Sequence, residues 1–401
     1  MKLFNKKYFA FASYDFSNSG FLVMFQSFLF PIILTSALVS SSFDSNQIWA
    51  WIVMISSILA VLGAPFLGKF ADKVGKWRIF SLTIIVAGLL AAIVVNSLNV
   101  WILVIGFLIF NTFFEFSQSL YDSFLRNIEQ NQKATTMLST FAWGFGYLGG
   151  AFFVVIYFLM QGMGTSNSLM LTIFALLFLL LSLPAIISFK RAEQKNKINS
   201  GIDKRFKEIM HPKNPVPWTH LFIYWIIADC VATAVYFIPL YLQQELNIGI
   251  KTVGIMLLGV QILAFPATIF MGKIANRIGR IKTIKISLII WAFSLLLLFF
   301  AKETKDIIPI LILVSFVIGS TQAILRAHFA TRVAVNKSGE GLGFYAVAQK
   351  SASIISPALI LLVLIITNSI KPAFFVLFIL VTIGIILASQ LNKSQIKTLK
   401  K

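Results

Sequence analysis

Glu115, Asp229 and Lys350 lie deep inside long apolar runs of the chain. Residues of these types at such depth can bind an oppositely charged group, or take up and release a proton. Burial favours a neutral acid, and a nearby ammonium favours its carboxylate. An acid balanced between the two titrates as its surroundings change. A second set, Asp15, Asp122, Arg126 and Arg326, sits nearer the ends of such runs. A charge in hydrocarbon costs about 2.5–3.5 kcal/mol on insertion scales, so one that persists lines a cavity, meets a partner or reaches the interface. Arginine can reach the interface along its stem, a serious reading for Arg126, whereas aspartate is too short to go far. Buried structural pairing is the plain alternative for the deep three. Other chemistry has little to stand on. Cys230 is alone, and His211, His220 and His328 are scattered, so neither a hydrolase nor a zinc constellation is expected. No enzyme activity, cofactor or metal is called for.

The elements that must carry these residues follow from composition. The chain of 401 residues is 58% hydrophobic and 12% charged, about half the charge of a typical soluble domain. Polar residues concentrate in short breaks between apolar stretches of roughly 20 residues, long enough to cross a ~30 Å hydrocarbon core. Twelve spans are expected, near 11–35, 47–68, 79–97, 100–125, 135–160, 167–189, 218–242, 251–271, 284–301, 307–329, 341–366 and 370–390. The runs are continuously apolar rather than alternating, which predicts helices and not a barrel. Lys2, Lys6 and Lys7 precede a run too long for a signal-peptide core, so it reads as the first helix.

The net charge of +20 is unevenly placed. Lys251, Lys302, Lys305 and Lys371 fall in the odd-to-even loops or the span ends beside them. All other Lys and Arg, except Lys350, lie in the tails, the even-to-odd loops or the span ends beside them. This positive-inside bias predicts a multi-pass plasma (inner) membrane protein with both termini cytoplasmic, and it argues against a nucleic-acid surface. Lys190 to Pro217 reads as a basic cytoplasmic linker, part of it resting on anionic lipid headgroups.

Two loops repeat. Gly68-Lys69-Phe70-Ala71-Asp72-Lys73-Val74-Gly75-Lys76 returns, 204 positions later, as Gly272-Lys273-Ile274-Ala275-Asn276-Arg277-Ile278-Gly279-Arg280, and the same offset aligns Ser117-Gln118 with Thr321-Gln322. Two related halves are expected: a six-helix bundle over 1–189, the linker 190–217, a second bundle over 218–390 and a tail 391–401. Paired halves in an apolar chain point to a transporter. The first loop closely resembles the signature between helices 2 and 3 of the major facilitator superfamily. Gly68 allows close helix packing, and Gly75 a sharp turn. Asp72 near a helix N-terminus would favour one packing of the halves. Lys73, Lys76 and Arg78 are expected to hold the loop at the cytoplasmic surface. Gly68, Asp72, Gly75 and Lys76, with Arg126, form the expected conformational latch. Asn276 replaces the acid in the second half, so a charge-dependent latch is expected in the first half only.

Gly144-Phe145-Gly146-Tyr147-Leu148-Gly149 matches a dinucleotide fingerprint but lies in mid-span, with no acid between Glu129 and Glu193. It reads as helix packing, with Gly146 and Gly150 on one face.

Tyr14-Asp15-Phe16-Ser17-Asn18-Ser19 resembles the Tyr-Asp-Trp-Ala-Asn-Ser opening of the vacuole effluxer-like major facilitator family, which includes the fungal autophagy-related vacuolar amino-acid effluxer. Tyr121 with Phe124-Leu125, Gly146 to Gly150, Ala228-Asp229, Gln322-Ala323 with Arg326, and Gly343-Phe344-Tyr345 with Lys350-Ser351-Ala352 match further motifs in order. Asp122 and Arg126 depart from it, standing where the family usually has Asn and Pro. The resemblance implies a twelve-helix carrier, with amino-acid export known for the fungal branch, and it adds Asn18 to the site.

A secondary transporter is therefore expected, moving a small polar solute of amino-acid type by alternating access with proton coupling. Its partners would be that solute, protons and membrane lipids, and the chain would act as a monomer. Lys350 and Arg326 could meet a carboxylate, and Glu115 or Asp229 an amine. A facilitative or exchange carrier of organic acids or nucleosides, or a non-transporting sensor on this scaffold, are the alternatives.

Overall fold

Apolar backbone in lipid must satisfy its own hydrogen bonds, and the chain does so by helix formation throughout its described residues. The computed structural model describes residues 6–38, 45–198, 221–229, 238, 241–242, 245–333, 338–367, 369 and 371–389. Cys230, His211, His220, most of the linker and the C-terminal tail lie outside them, as does the side chain of Lys350. The helices are α1 (Lys6–Gly20), a π-helical stretch (Phe21–Leu29), α2 (Phe30–Leu38), α3 (Ser45–Val74), α4 (Lys76–Val94), α5 (Val100–Ser123), α6 (Leu125–Ile128), α7 (Gln132–Gly162) and α8 (Asn167–Ile198). They continue as α9 (221–229), α10 (Ile250–Ile278), α11 (Arg280–Phe300), α12 (Thr304–Ala330), α13 (Ser338–Thr367) and α14 (Lys371–Ala388).

Ten helical runs among the described residues are long and apolar enough to cross a membrane. They match ten of the twelve expected spans. The span at 218–242 runs beyond the described residues, and that at 341–366 lies within α13. Phe66, Ile93, Trp101 and Phe158 are each more than half exposed. That much open apolar surface suits lipid rather than water.

Two compact units emerge. The first holds residues 1–130, 145–203 and 333–347, and the second 131–144, 204–332 and 348–401. Each therefore takes a short segment from the other half of the sequence. In the first unit α4 packs on α5 and α8, α3 on α5, and α1 on α8. In the second, α12 packs on α10 and α11, and α11 on α14.

The repeat is visible in the backbone. Gly75 (φ 127°) ends α3 and opens α4, and Gly279 (φ 97°) does the same between α10 and α11. Side-chain-bearing residues are strained at such angles, so both turns need glycine. Of the expected packing pair Gly146 and Gly150, Gly146 meets the N-terminal helix closely, together with Gly149. A Cβ on Gly146 would press on Ser19 Oγ, and one on Gly149 would run into the Phe16 carbonyl. α8 runs on from the expected span into the expected linker, to Ile198. Residues 190–198 are polar but rich in good helix formers, so the helix outlasts the apolar run.

Candidate functional site

The first unit carries a polar seam between the N-terminal helix and α5. The Tyr121 hydroxyl donates to Asp15 Oδ2 (2.9 Å), and Tyr14 Oη meets Ser117 Oγ at 2.5 Å. Eleven residues farther along the N-terminal helix, in the π-helical stretch, Gln26 Nε2 donates to Asn111 Oδ1 (2.5 Å). Asn111 Nδ2 in turn donates to Ser56 Oγ on α3 (2.8 Å). Asp15, Asn18, Gln26, Asn111 and Asp122 are all buried. Among the described residues the buried Asn18 side-chain oxygen has no hydrogen-bond partner. On α5 the polar residues Asn111, Glu115, Gln118 and Asp122 recur at i, i+4, i+7 and i+11, one stripe of the helix. Buried polar groups in an apolar bundle are costly unless they are bonded or serve a ligand. Arg126 donates to the Gln130 carbonyl (2.7 Å), just beyond the end of α6.

In the second unit, Arg326 on α12 is only 1% exposed. Its Nε donates to Ser139 Oγ (2.9 Å), its Nη2 to the Ser139 carbonyl (3.1 Å), and its guanidinium lies 4.8 Å from the Trp143 ring centre. The Ser139 hydroxyl in turn donates a hydrogen bond to the Ala323 carbonyl (2.7 Å). A planar fork that also stacks suits arginine, and lysine cannot reproduce it. Arg326→Lys is expected to lower the melting temperature and cut uptake about tenfold, read by melting curves and uptake on the same preparation. Asp229, on α9, is 4% exposed.

The repeated loops make different contacts. Asp72 receives the backbone N–H groups of Gly339 (3.1 Å) and Glu340 (3.0 Å), at the N-terminus of α13 and within the first unit. Lys76 Nζ is 3.9 Å from Asp72 Oδ1 and donates to Ser338 Oγ (2.6 Å) and Asn127 Oδ1 (3.0 Å). The carboxylate at a helix N-terminus is the placement the dipole favours. Gly68 and Gly339 abut so closely that a Cβ on either would strike the other's carbonyl oxygen. Lys73 and Arg78 are exposed as expected, but Lys76 is not at the surface: it is 5% exposed. The turn at Gly75 swings the next residue inward.

Glu193, on the extension of α8, receives the backbone N–H groups of Lys76 (2.8 Å) and Trp77 (3.1 Å) and so caps α4. Lys190 lies 5.0 Å from the Trp77 ring centre.

In the second unit Asn276 Nδ2 donates to the Lys133 carbonyl (3.0 Å). Arg280, the counterpart of Lys76, donates to Thr136 Oγ1 (2.7 Å), Thr331 Oγ1 (2.7 Å) and the carbonyls of Ala327 and Gln132. It ties the start of α7 to the end of α12.

The family model described as Major Facilitator Superfamily matches residues 16–357, and again 221–398. The chain belongs to the Major Facilitator Superfamily. An uncharacterized MFS-type transporter, YxiO, of Bacillus subtilis (strain 168) is 28% identical over 96% of this chain and 95% of its own length. A bacterial homologue of the iron transporter ferroportin in its outward-facing state aligns at a TM-score of 0.75, with 13% identity over 97% of this chain and 100% of that one. The proton:xylose symporter XylE aligns at 0.74, with 13% identity over 97% and 95%. At that identity the two structures share the fold alone. The protein is thus an integral membrane transporter of the superfamily with its all-helical fold.

Within this superfamily fold, the sequence reading missed Gln26, Asn111 and Ser56, and it missed Arg280 as a hub. The signal for the first group was present in the polar stripe on α5. Counting charges passed over neutral amides, which also need partners in lipid.

Proposed function

We propose that this transporter is a proton-coupled secondary carrier of a small zwitterionic solute of the amino-acid class, working by alternating access. One observation carries the reading. Asp122 in the first unit and Arg326 in the second are both buried, and they occupy the same repeat position, 326 − 122 = 204. Paired positions of opposite sign suit a substrate that bears both signs. Asp15, Asn18 and Glu115 enlarge the polar side for an ammonium group, and Arg326 with Lys350 suits a carboxylate. The resemblance to vacuole effluxer-like sequences supports the same class.

Asp72, Lys76, Gly68 and Gly75 act as a latch that favours the packing in which α13 is capped. The cytoplasmic face carries the latch, both termini and the basic linker, which meets anionic lipid.

A thermal-shift screen of the purified protein against amino acids, nucleosides, sugars and organic acids tests the substrate. Amino acids should raise the melting temperature. A shift from organic acids or nucleosides alone would exclude this reading in favour of an exchange carrier for those solutes. Orientation is checked separately in a Cys230-free background. Cysteines at Ser42 or Thr165 should react with an impermeant thiol reagent on intact cells, and one at Ser200 only after lysis. Labelling at position 200 in intact cells would invert the topology.

A further inference from the structure

At one end of the second unit two arginines converge and no described carboxylate answers them. Arg332, just past α12, donates through Nε to His328 Nε2 (3.1 Å). Its side chain makes no other hydrogen bond and no ion pair among the described residues. The Nη1 and Nη2 fork is therefore unused, and the side chain is partly exposed. Arg280, also partly exposed, donates to Thr331 Oγ1 (2.7 Å) and to the Ala327 carbonyl on the same turn. Both guanidiniums act electrostatically on the Tyr224 hydroxyl, so they share one neighbourhood. His328 is only 3% exposed and lies against the Tyr224 ring, 6.2 Å between ring centres. A buried imidazole that accepts from Nε thus fixes the direction of the Arg332 fork.

Charge decides what this end can take. The C-terminus of α12 supplies about half a negative charge, which leaves roughly one and a half positive charges at the pair. Among the described acids of this unit, Glu245, Glu303 and Asp306 belong to the opposite helix ends. Asp229 stands five residues on from Tyr224 along α9 (229 − 224). Exposed Lys273, Arg277 and Lys282 add to the excess. A monoanion with paired oxygens satisfies both the charge and the open fork.

Depth narrows the choice. Arg280 opens one membrane-crossing run, and Arg332 stands two residues past the end of another (332 − 330). Both guanidiniums are thus level with phospholipid headgroups. Two residues before Tyr224, the exposed Phe222 stacks on Trp225 (5.7 Å), an aromatic pair suited to a membrane interface. Such a surface gives apolar cover to an acyl chain, which a free phosphate ion does not need.

We propose that Arg332 and Arg280 hold the phosphate of an anionic phospholipid, with His328 as the positioning residue. Arg332 grips two phosphate oxygens through its free N–H groups. Arg280, whose own donors are engaged within the protein, supplies charge. The site differs from the diffuse attraction of the basic linker. It lies on the second unit's own helices, it saturates with a single lipid, and it selects by fork geometry. It is independent of which solute is carried.

The test uses the full-length protein, stripped of lipid in a neutral detergent, with its melting temperature followed. Phosphatidylglycerol, phosphatidylcholine and inorganic phosphate are added singly. Phosphatidylglycerol should raise the melting temperature saturably, and the other two should not. Arg332→Gln should raise the half-saturation concentration about tenfold. Arg332→Lys, which keeps the charge but loses the fork, should raise it about threefold. Replacing Lys190, Arg191, Lys195 and Lys197 of the linker by glutamine should change it less than about twofold. Half-saturation within twofold of wild type in Arg332→Gln overturns the proposal, as does a larger effect from the linker than from Arg332. An equal shift from inorganic phosphate would make the occupant a free anion and overturn the lipid assignment. If Arg332→Gln does not fold, native mass spectrometry of the linker variant decides. A single phosphatidylglycerol should persist on it through delipidation while phosphatidylcholine is lost, and equal retention of the two overturns the proposal.

Discussion

Asp229→Asn should abolish accumulation driven by a pH gradient while leaving counterflow exchange close to wild type. Asp229 is buried at 4% exposure on α9, and Lys350 is the base expected at similar depth in the sequence. A membrane carboxylate held between desolvation and a neighbouring ammonium changes protonation when its surroundings change, and that change is what couples a proton to substrate movement. Asparagine keeps the shape and loses the titration. Counterflow needs no net proton movement and so should survive. Lys350→Ala should impair both activities, since it would remove the proposed partner of Asp229 and a candidate anchor for the substrate carboxylate. Uptake into proteoliposomes, with and without an imposed pH gradient, decides the matter. Wild-type concentration of substrate by Asp229→Asn would reduce the residue to a structural partner of Lys350.

The second large effect is expected at the latch. Asp72→Asn removes the charge that receives two N–H groups at the start of α13. A neutral amide can replace only one of these oxygens and none of the attraction to the helix dipole, a loss of about 2 kcal/mol in the packing that needs it. The balance between two packings then shifts about 30-fold, and uptake should fall about tenfold at normal abundance. Arg280→Gln should come close to this effect, because it removes a donor set that binds two helices at once. Asn276→Ala loses one exposed hydrogen bond, worth ~1 kcal/mol or less, and should change uptake less than threefold. Uptake rates normalised to protein abundance give the ranking. Equal losses from Asp72→Asn and Asn276→Ala would mean that the acid has no special role.

The sequence made most of the fold legible, because continuous apolar runs and a repeated glycine loop leave few alternatives. Gly75 and Gly279 were readable as turns from their type and spacing, and their backbone angles bear this out. Partners were much less legible. Asp72 could be assigned to some helix N-terminus, but only folding reveals that the helix begins at Ser338, 266 residues away (338 − 72). Lys76 reads as a surface cation by type, and only the turn before it explains its burial. The amide chain from Gln26 to Ser56 joins three helices that no local pattern pairs.

The cap that Glu193 places on α4 carries a thermodynamic obligation. Its two hydrogen bonds exist only while residues 190–193 continue the helix of α8. Whatever steadies that extension also steadies the turn at Gly75 that joins α3 to α4, and by reciprocity a well-ordered turn must steady the extension by an equal free energy. If solute capture shifts that turn, it must also shift the helix content of residues 190–193, and anything that grips Lys190 and Arg191 must then change the affinity for the solute by the same factor.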